Sequence, residues 1–226
     1  MRTIQAGAVL VIAVFLSGAG ADCKPPVSAP LLRITPYAQQ TSNWCWAATG
    51  QITMNYVRPG SVPRQCEAVS KVVSNRDGVD TDCCKKEPPN NEPPKKCLVT
   101  NDSPAYAENG FEAIATSKNL RVAAEDRALS WEEIKQQIYC KKKPFAFSWR
   151  FAASRYASGH MMVAMGYEEK SGEKLVHFFN PSPRNPSEEP VDEEDRFSYR
   201  TYEEYVKGGG YVHGQAFYDI SFKGGD

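Results

Sequence analysis

One thiol sits between two indoles. The run Asn43-Trp44-Cys45-Trp46-Ala47-Ala48 is apolar enough for Cys45 to be a core filler, half of a disulfide, or a nucleophile. Nucleophilic chemistry needs the thiolate, which a helix N-terminus and a nearby imidazolium both stabilise. Cys45 lies at the start of a predicted helix, so the first condition is in place. For the second, the chain offers only His160, His177 and His213. His160 follows Ser158-Gly159 and begins an apolar run, where a strand-initial side chain could face a cleft; a functional and a structural role stand level on that context. His177 lies inside an apolar run and reads more readily as a hydrogen-bonded structural histidine. His213 sits beside Gly208-Gly209-Gly210, with no partner that spacing suggests.

A catalytic imidazole needs a third group to fix its tautomer and orientation, and an amide oxygen or a carboxylate can do so. Asn180 ends the apolar run Leu175–Phe179, which should pair with the run begun by His160. A hairpin turn at Ser171-Gly172 would bring His160 and Asn180 directly opposite each other on antiparallel strands. The plainer reading of Asn180 is a turn residue before Pro181.

The remaining cysteines bear on the thiol. There are seven, Cys23, Cys45, Cys66, Cys83, Cys84, Cys97 and Cys140. The N-terminal residues carry Arg2, an apolar run from Ala6 to Leu16 and the small-residue pattern Ala19-Gly20-Ala21. That run is too short to span a bilayer, and the arrangement predicts a signal peptide over 1–21 cleaved after Ala21. Asp22 fits a lipid-attachment box at Cys23 poorly. The mature chain, 22–226, is expected to be secreted or periplasmic, where disulfides persist. Setting Cys45 aside leaves six cysteines for three bridges and one leftover thiol, which favours the nucleophile. Sequence does not choose the connectivity.

The elements that would position these groups can be read in order. Pro25, Pro26, Pro30 and Pro36 suit an extended, surface-hugging arm. A helix should follow, with Asn43 or Ser42 as its cap and Cys45, Ala48, Ile52 and Tyr56 near one side. A second helix is predicted over Val62–Ser74. Between Asn75 and Lys96 prolines and charges replace any apolar period, so this is a loop, stapled through Cys83, Cys84 and Cys97. It could be a solvated decoration or a gate for substrate, and the sequence leaves both open.

Ser130-Trp131-Glu132-Glu133 is a capping box, predicting a short helix that ends at Cys140. Strands then follow at Pro144–Trp149, His160–Tyr167 and Leu175–Asn180. Thr201-Tyr202-Glu203-Glu204 caps another helix, which Gly208-Gly209-Gly210 stops, and Gln215–Phe222 alternates like a closing strand. Helices first and strands later predict an α+β domain, with no internal repeat and no second domain.

Lysine plus arginine and aspartate plus glutamate number 27 each, so no net field attracts nucleic acid or an anionic membrane. No phosphate-cradling glycine loop and no basic stacking surface is present. Cysteine and histidine spacing gives no coherent zinc set, so neither a metal nor a cofactor is expected. No stable membrane insertion is expected after signal removal.

Taken in order, Gln39, Trp44-Cys45-Trp46-Ala47-Ala48, the segment from Gly159 to Tyr167 and Phe178-Phe179-Asn180-Pro181 resemble the papain-fold cysteine proteases. More narrowly, they resemble the secreted avirulence proteases of plant-pathogenic bacteria and, more distantly, the bacteriocin-leader peptidases of ABC exporters. The match is most specific around Cys45 and runs from Pro36 to Pro181 in motif order. The resemblance implies an N-terminal helical lobe whose nucleophile helix packs on a C-terminal antiparallel β-sheet. It further implies Cys45 as nucleophile, His160 as general acid and base, and Asn180 as the residue orienting the imidazole.

Gln39, six positions before Cys45, matches the glutamine that joins the Cys45 backbone N–H in an oxyanion hole, with Gln40 one residue away as the alternative. Relatives often carry aspartate where Asn180 stands, although papain itself uses asparagine. The function so implied is a secreted, monomeric cysteine peptidase acting on a protein or peptide substrate. Two rivals use the same residues differently: a peptidoglycan amidase on the same fold, and a catalytically silent, disulfide-stapled binding module.

Overall fold

The computed structural model describes residues 23–60, 63–87, 92–98, 110–115, 118–151, 159–182 and 196–224. The expected signal peptide over 1–21 lies outside them. Two helices lead, α1 (Cys45–Val57) and α2 (Gln65–Asp77), and seven strands follow: β1 (Leu120–Glu125), β2 (Phe145–Phe151), β3 (Gly159–Lys170), β4 (Glu173–Phe179), β5 (Phe197–Thr201), β6 (Lys207–Gly208) and β7 (Tyr211–Phe222). All pair antiparallel in one sheet of order β1-β7-β2-β3-β4-β5, with β6 beside β7. The helical lobe on a later antiparallel sheet is the α+β architecture the sequence predicts.

β3 explains why its sequence is apolar at consecutive positions. Met161 joins the core under α1 and α2, and Val163 and Met165 pack with Ile52 of α1 and with Ile34. Met162 and Ala164 enter a second core with Trp131, Ile134 and Tyr205 on the other face. A strand buried on both faces loses the polar half of its alternation. The turn to β4 falls at Ser171-Gly172, both with positive φ (52° and 84°), as the hairpin reading requires.

The sequence suggests that α1 has one apolar side, but its first half is buried all round: Cys45, Trp46, Ala47, Ala48, Thr49 and Gly50 are each buried. The helix is enclosed by the sheet, by α2, by the stapled loop and by Phe111 and Ile114 of the helical stretch 110–115. A helix surrounded in this way is apolar in every direction. The second helix starts at Gln65 rather than Val62 and runs to Asp77, where Gly78 takes a left-handed φ of 66°.

The capping box at Ser130 forms as expected, with its hydroxyl accepting from Glu133 N–H, and the helix Trp131–Lys135 widens into a π-helical turn over Gln136–Cys140. The Thr201 box likewise caps Tyr202–Val206.

Three disulfides form, Cys23–Cys140, Cys66–Cys84 and the buried Cys83–Cys97. Cys66–Cys84 fastens the proline-rich loop to α2, and Cys83–Cys97 ties the start of that loop to its end. Ser70 and Ser74 of that helix accept from the backbone N–H of Cys83 (2.8 Å) and Thr81 (2.9 Å). The proline arm is more than surface-hugging. β2 begins opposite Ala164, and beyond that point the arm takes over as the neighbour of β3, with Leu32 N–H donating to Met165 O (2.9 Å) and Glu169 N–H to Val27 O (2.9 Å). Pro30, which lacks an N–H, falls between the arm residues that make these bonds.

His213 belongs to this scaffold. It stacks on Phe147 (5.8 Å between centroids) and meets the edge of Tyr205 (4.7 Å). Burial holds its imidazole down at about 4. The unfolded chain therefore takes up a proton as pH falls below the ordinary histidine value, while the folded chain does not until about 4, so stability is lost across that window. Urea unfolding between pH 7 and pH 4 should show wild type losing about 2–3 kcal/mol more than His213→Phe. Equal losses would remove His213 as the source.

Candidate active site

Cys45 is the first residue of α1 and is 2% exposed. The flanking indoles seat the helix start against two neighbours. Trp44 Nε1–H donates to Cys97 O (2.9 Å), tying the helix to the stapled loop, and the Trp46 ring lies so close to Gly110 that a Cβ there would come within 2.9 Å of it. The expected cap by Asn43 or Ser42 does not form. Trp44 occupies the N-cap position, and its side chain makes no capping hydrogen bond. A capping oxygen would engage the amides whose partial positive charge acts at the helix start, where the thiol sits.

His160 is the second residue of β3 and pairs with Trp149 of β2, whose Nε1–H is anchored on Tyr205 O (3.0 Å). His160 Nε2 lies 2.6 Å from Asn180 Oδ1. The same oxygen accepts from Ser182 N–H (3.0 Å), which fixes the amide, because swapping its O and N would set donor against donor. Nε2 therefore carries the proton, and Nδ1 is the ring nitrogen left for Cys45, with which His160 is also hydrogen bonded. Burial pushes the imidazole pKa down, but the hydrogen bond to Cys45, the charge of its sulfur and the Asn180 bond together hold it above its ordinary value. The imidazolium form thus persists to higher pH than in a free histidine.

The contact with Asn180 differs in one respect from the direct pairing read from sequence. The register Val163↔Phe179 continues so that Asn180 falls level with Met162, just past the end of β4, and a shift between Ala164 and Gly166 sets that register. His160 reaches Asn180 diagonally, a distance long polar side chains span. The other two histidines stand elsewhere. His177 lies 3.5 Å from Glu168, with burial lowering its pKa against the pull of that carboxylate, and His213 is enclosed by aromatic rings.

Gln39 and Gln40 separate by burial. Gln39 is 5% exposed, whereas the Gln40 side chain is exposed. Gln39 N–H donates to Pro181 O (2.8 Å), the residue after Asn180, and its Nε2 donates to Thr41 O (2.8 Å). An amide nitrogen has two hydrogens, so that bond orients the group and leaves one N–H over. The Oε1 atom is buried without a partner, and flipping the amide would set oxygen against oxygen at Thr41.

Both glutamines line a cleft of about 830 Å³ that Ser182, Cys66, Cys83 and Cys84 also line. Part of the Asn75–Lys96 loop is therefore wall rather than decoration, Lys86 and Glu92 included. Among the described residues no cluster of histidine, cysteine and acidic side chains could hold a metal ion, and no helix is long and apolar enough to cross a membrane. Sequence reading missed Gln65, which a polar helix start gave no reason to single out, and Ser182, whose backbone fixes Asn180.

The model of the Peptidase_C39 like family matches residues 31–209. The chain belongs to that family. Solved structures of cysteine proteases resemble this chain at low identity. Xylellain, a cysteine protease from Xylella fastidiosa, is 12% identical over 88% of this chain and 87% of its own, with a TM-score of 0.51. The peptidase domain of Streptococcus ComA, a bifunctional ABC transporter of a quorum-sensing pathway, is 9% identical over 85% of this chain and 99% of its own, with a TM-score of 0.47. A structure from work on the mite allergens Blo t 1 and Der p 1 is 10% identical over 87% of this chain and 73% of its own, with a TM-score of 0.49. A search of curated sequences gives no significant match. By family the chain is a cysteine peptidase of papain-like fold, with a peptide as the substrate class.

Proposed function

We propose that the protein is a secreted, monomeric cysteine peptidase that cleaves peptide bonds through Cys45, His160 and Asn180, with Gln39 as oxyanion donor. The single observation that carries the reading is the imidazole of His160, hydrogen bonded at once to Asn180 and to Cys45, the one cysteine of seven outside a disulfide. The Cys45 thiolate attacks the scissile carbonyl carbon, and the negative charge moves to its oxygen. The remaining Gln39 N–H and the Cys45 backbone N–H receive that charge. His160 gives its proton to the leaving amine as the C–N bond breaks, then takes one from the water that hydrolyses the thioester. Asn180 holds the ring with Nε2 protonated, so that Nδ1 handles these transfers. The signal-like N-terminus and three disulfides support export to an oxidising compartment.

Incubating the folded, unreduced protein with a thiol-reactive peptidyl epoxide tests the assignment directly. One adduct, mapped to Cys45 and lost in His160→Ala, is expected. A folded protein without a mass shift would favour the silent module, and labelling accompanied by turnover of muropeptides but not of peptides would favour the amidase.

A further inference from the structure

We propose that Gln65 is a positioning residue for the oxyanion hole: from the first turn of α2 it grips the backbone on both sides of Gln39 and so sets where that amide points. The inference rests on the reading of Gln39 as oxyanion donor.

Gln65 is 2% exposed, although Arg64 just before it and Glu67 two residues on are exposed. Its Oε1 accepts from Gln40 N–H (2.9 Å), and its Nε2 donates to Ala38 O (2.7 Å) and to Gln51 Oε1 (3.1 Å). The chain is thus held one residue before and one residue after Gln39. The position itself is held by its own N–H on Pro181 O (2.8 Å). Gln51 lies on α1, six residues past Cys45, so one carboxamide joins the nucleophile helix, α2 and the donor segment.

Packing alone does not account for this choice. Burying an amide is costly unless every group is matched, and an apolar residue would fill the volume without that cost. What an apolar residue lacks is the paired acceptor and donor that read one N–H and one C=O two residues apart. Accurate placement matters because an oxyanion donor acts only within hydrogen-bond reach of the developing charge, and a misplacement of about 1 Å can cost about 100-fold in rate.

The prediction is a loss confined to the chemical step. Gln65→Leu should lower kcat about 10- to 100-fold, with KM within about 3-fold and the rate of Cys45 alkylation by iodoacetamide unchanged. In a Gln39→Ala background, where no donor remains to be positioned, the same substitution should cost nothing further.

Gln65→Glu keeps the shape and the acceptor for Gln40 N–H, but when ionised it sets a second oxygen against Ala38 O and Gln51 Oε1. Protonation restores a donor, so its kcat relative to wild type should rise as pH falls. This near-isosteric variant carries the test if the leucine variant does not fold. Wild-type kcat in a folded Gln65 variant, or an equal loss with and without Gln39, would overturn the proposal. Wild-type kcat in Gln39→Ala would instead overturn the oxyanion reading on which it stands.

Discussion

Cys45→Ala is expected to fold normally and to have no measurable turnover, a loss of about 10⁶-fold in kcat when a nucleophile of this kind is removed. The structural cost is small, because alanine keeps the buried methylene where Cys45 sits at 2% exposure and removes only the sulfur. His160→Ala should fall to a similar level. The double variant should be hardly worse than either single one, since nucleophile and base act as a unit. The thermal midpoint and near-UV circular dichroism of each variant, measured beside its turnover, separate lost chemistry from lost structure. Wild-type turnover in folded Cys45→Ala would end the catalytic assignment.

The second large effect concerns Gln39. Truncation to alanine should lower kcat about 100- to 1,000-fold, the cost of one oxyanion donor, while leaving KM close to wild type because the charge it meets exists only in the transition state. Gln40→Ala is the internal control. Its side chain is exposed and only its backbone N–H is engaged, by Gln65, so activity should stay near wild type. Steady-state kinetics on one fluorogenic peptide distinguishes the two adjacent positions. A loss at Gln40 and none at Gln39 would reverse their roles.

What the sequence made legible has a physical pattern. β3 and β4 could be found because burial on both faces leaves runs such as Met161–Met165 without polar interruption, and the turn between them needs residues that accept positive φ. The capping boxes at Ser130 and Thr201 were equally readable, since their chemistry is local. β1 and β5 were not found. They are the two ends of the sheet order, and β5 turns Phe197 and Tyr199 outward at 40% and 56% exposure, so its alternation points away from any core.

In the site, the types of Cys45, His160 and Asn180 were visible, but the diagonal reach between the last two depends on a register shift that no local pattern announces. Gln65 was invisible for a related reason. Its partners, Ala38, Gln40 and Gln51, are far away in sequence, and nothing in a polar residue beside Cys66 distinguishes a clamp from a surface side chain.

The bridges Cys66–Cys84 and Cys83–Cys97 border the same cleft that Gln39 lines. The proposed mechanism therefore needs the bridged wall of this cleft to stay oxidised while the Cys45 sulfur stays reduced. The usual practice of adding a strong dithiol to wake a thiol enzyme cuts both ways here: mild reductant uncaps residue 45, and an excess dismantles the pocket around it. On that mechanism the working potential is bounded from above and from below by the chain's own cysteines.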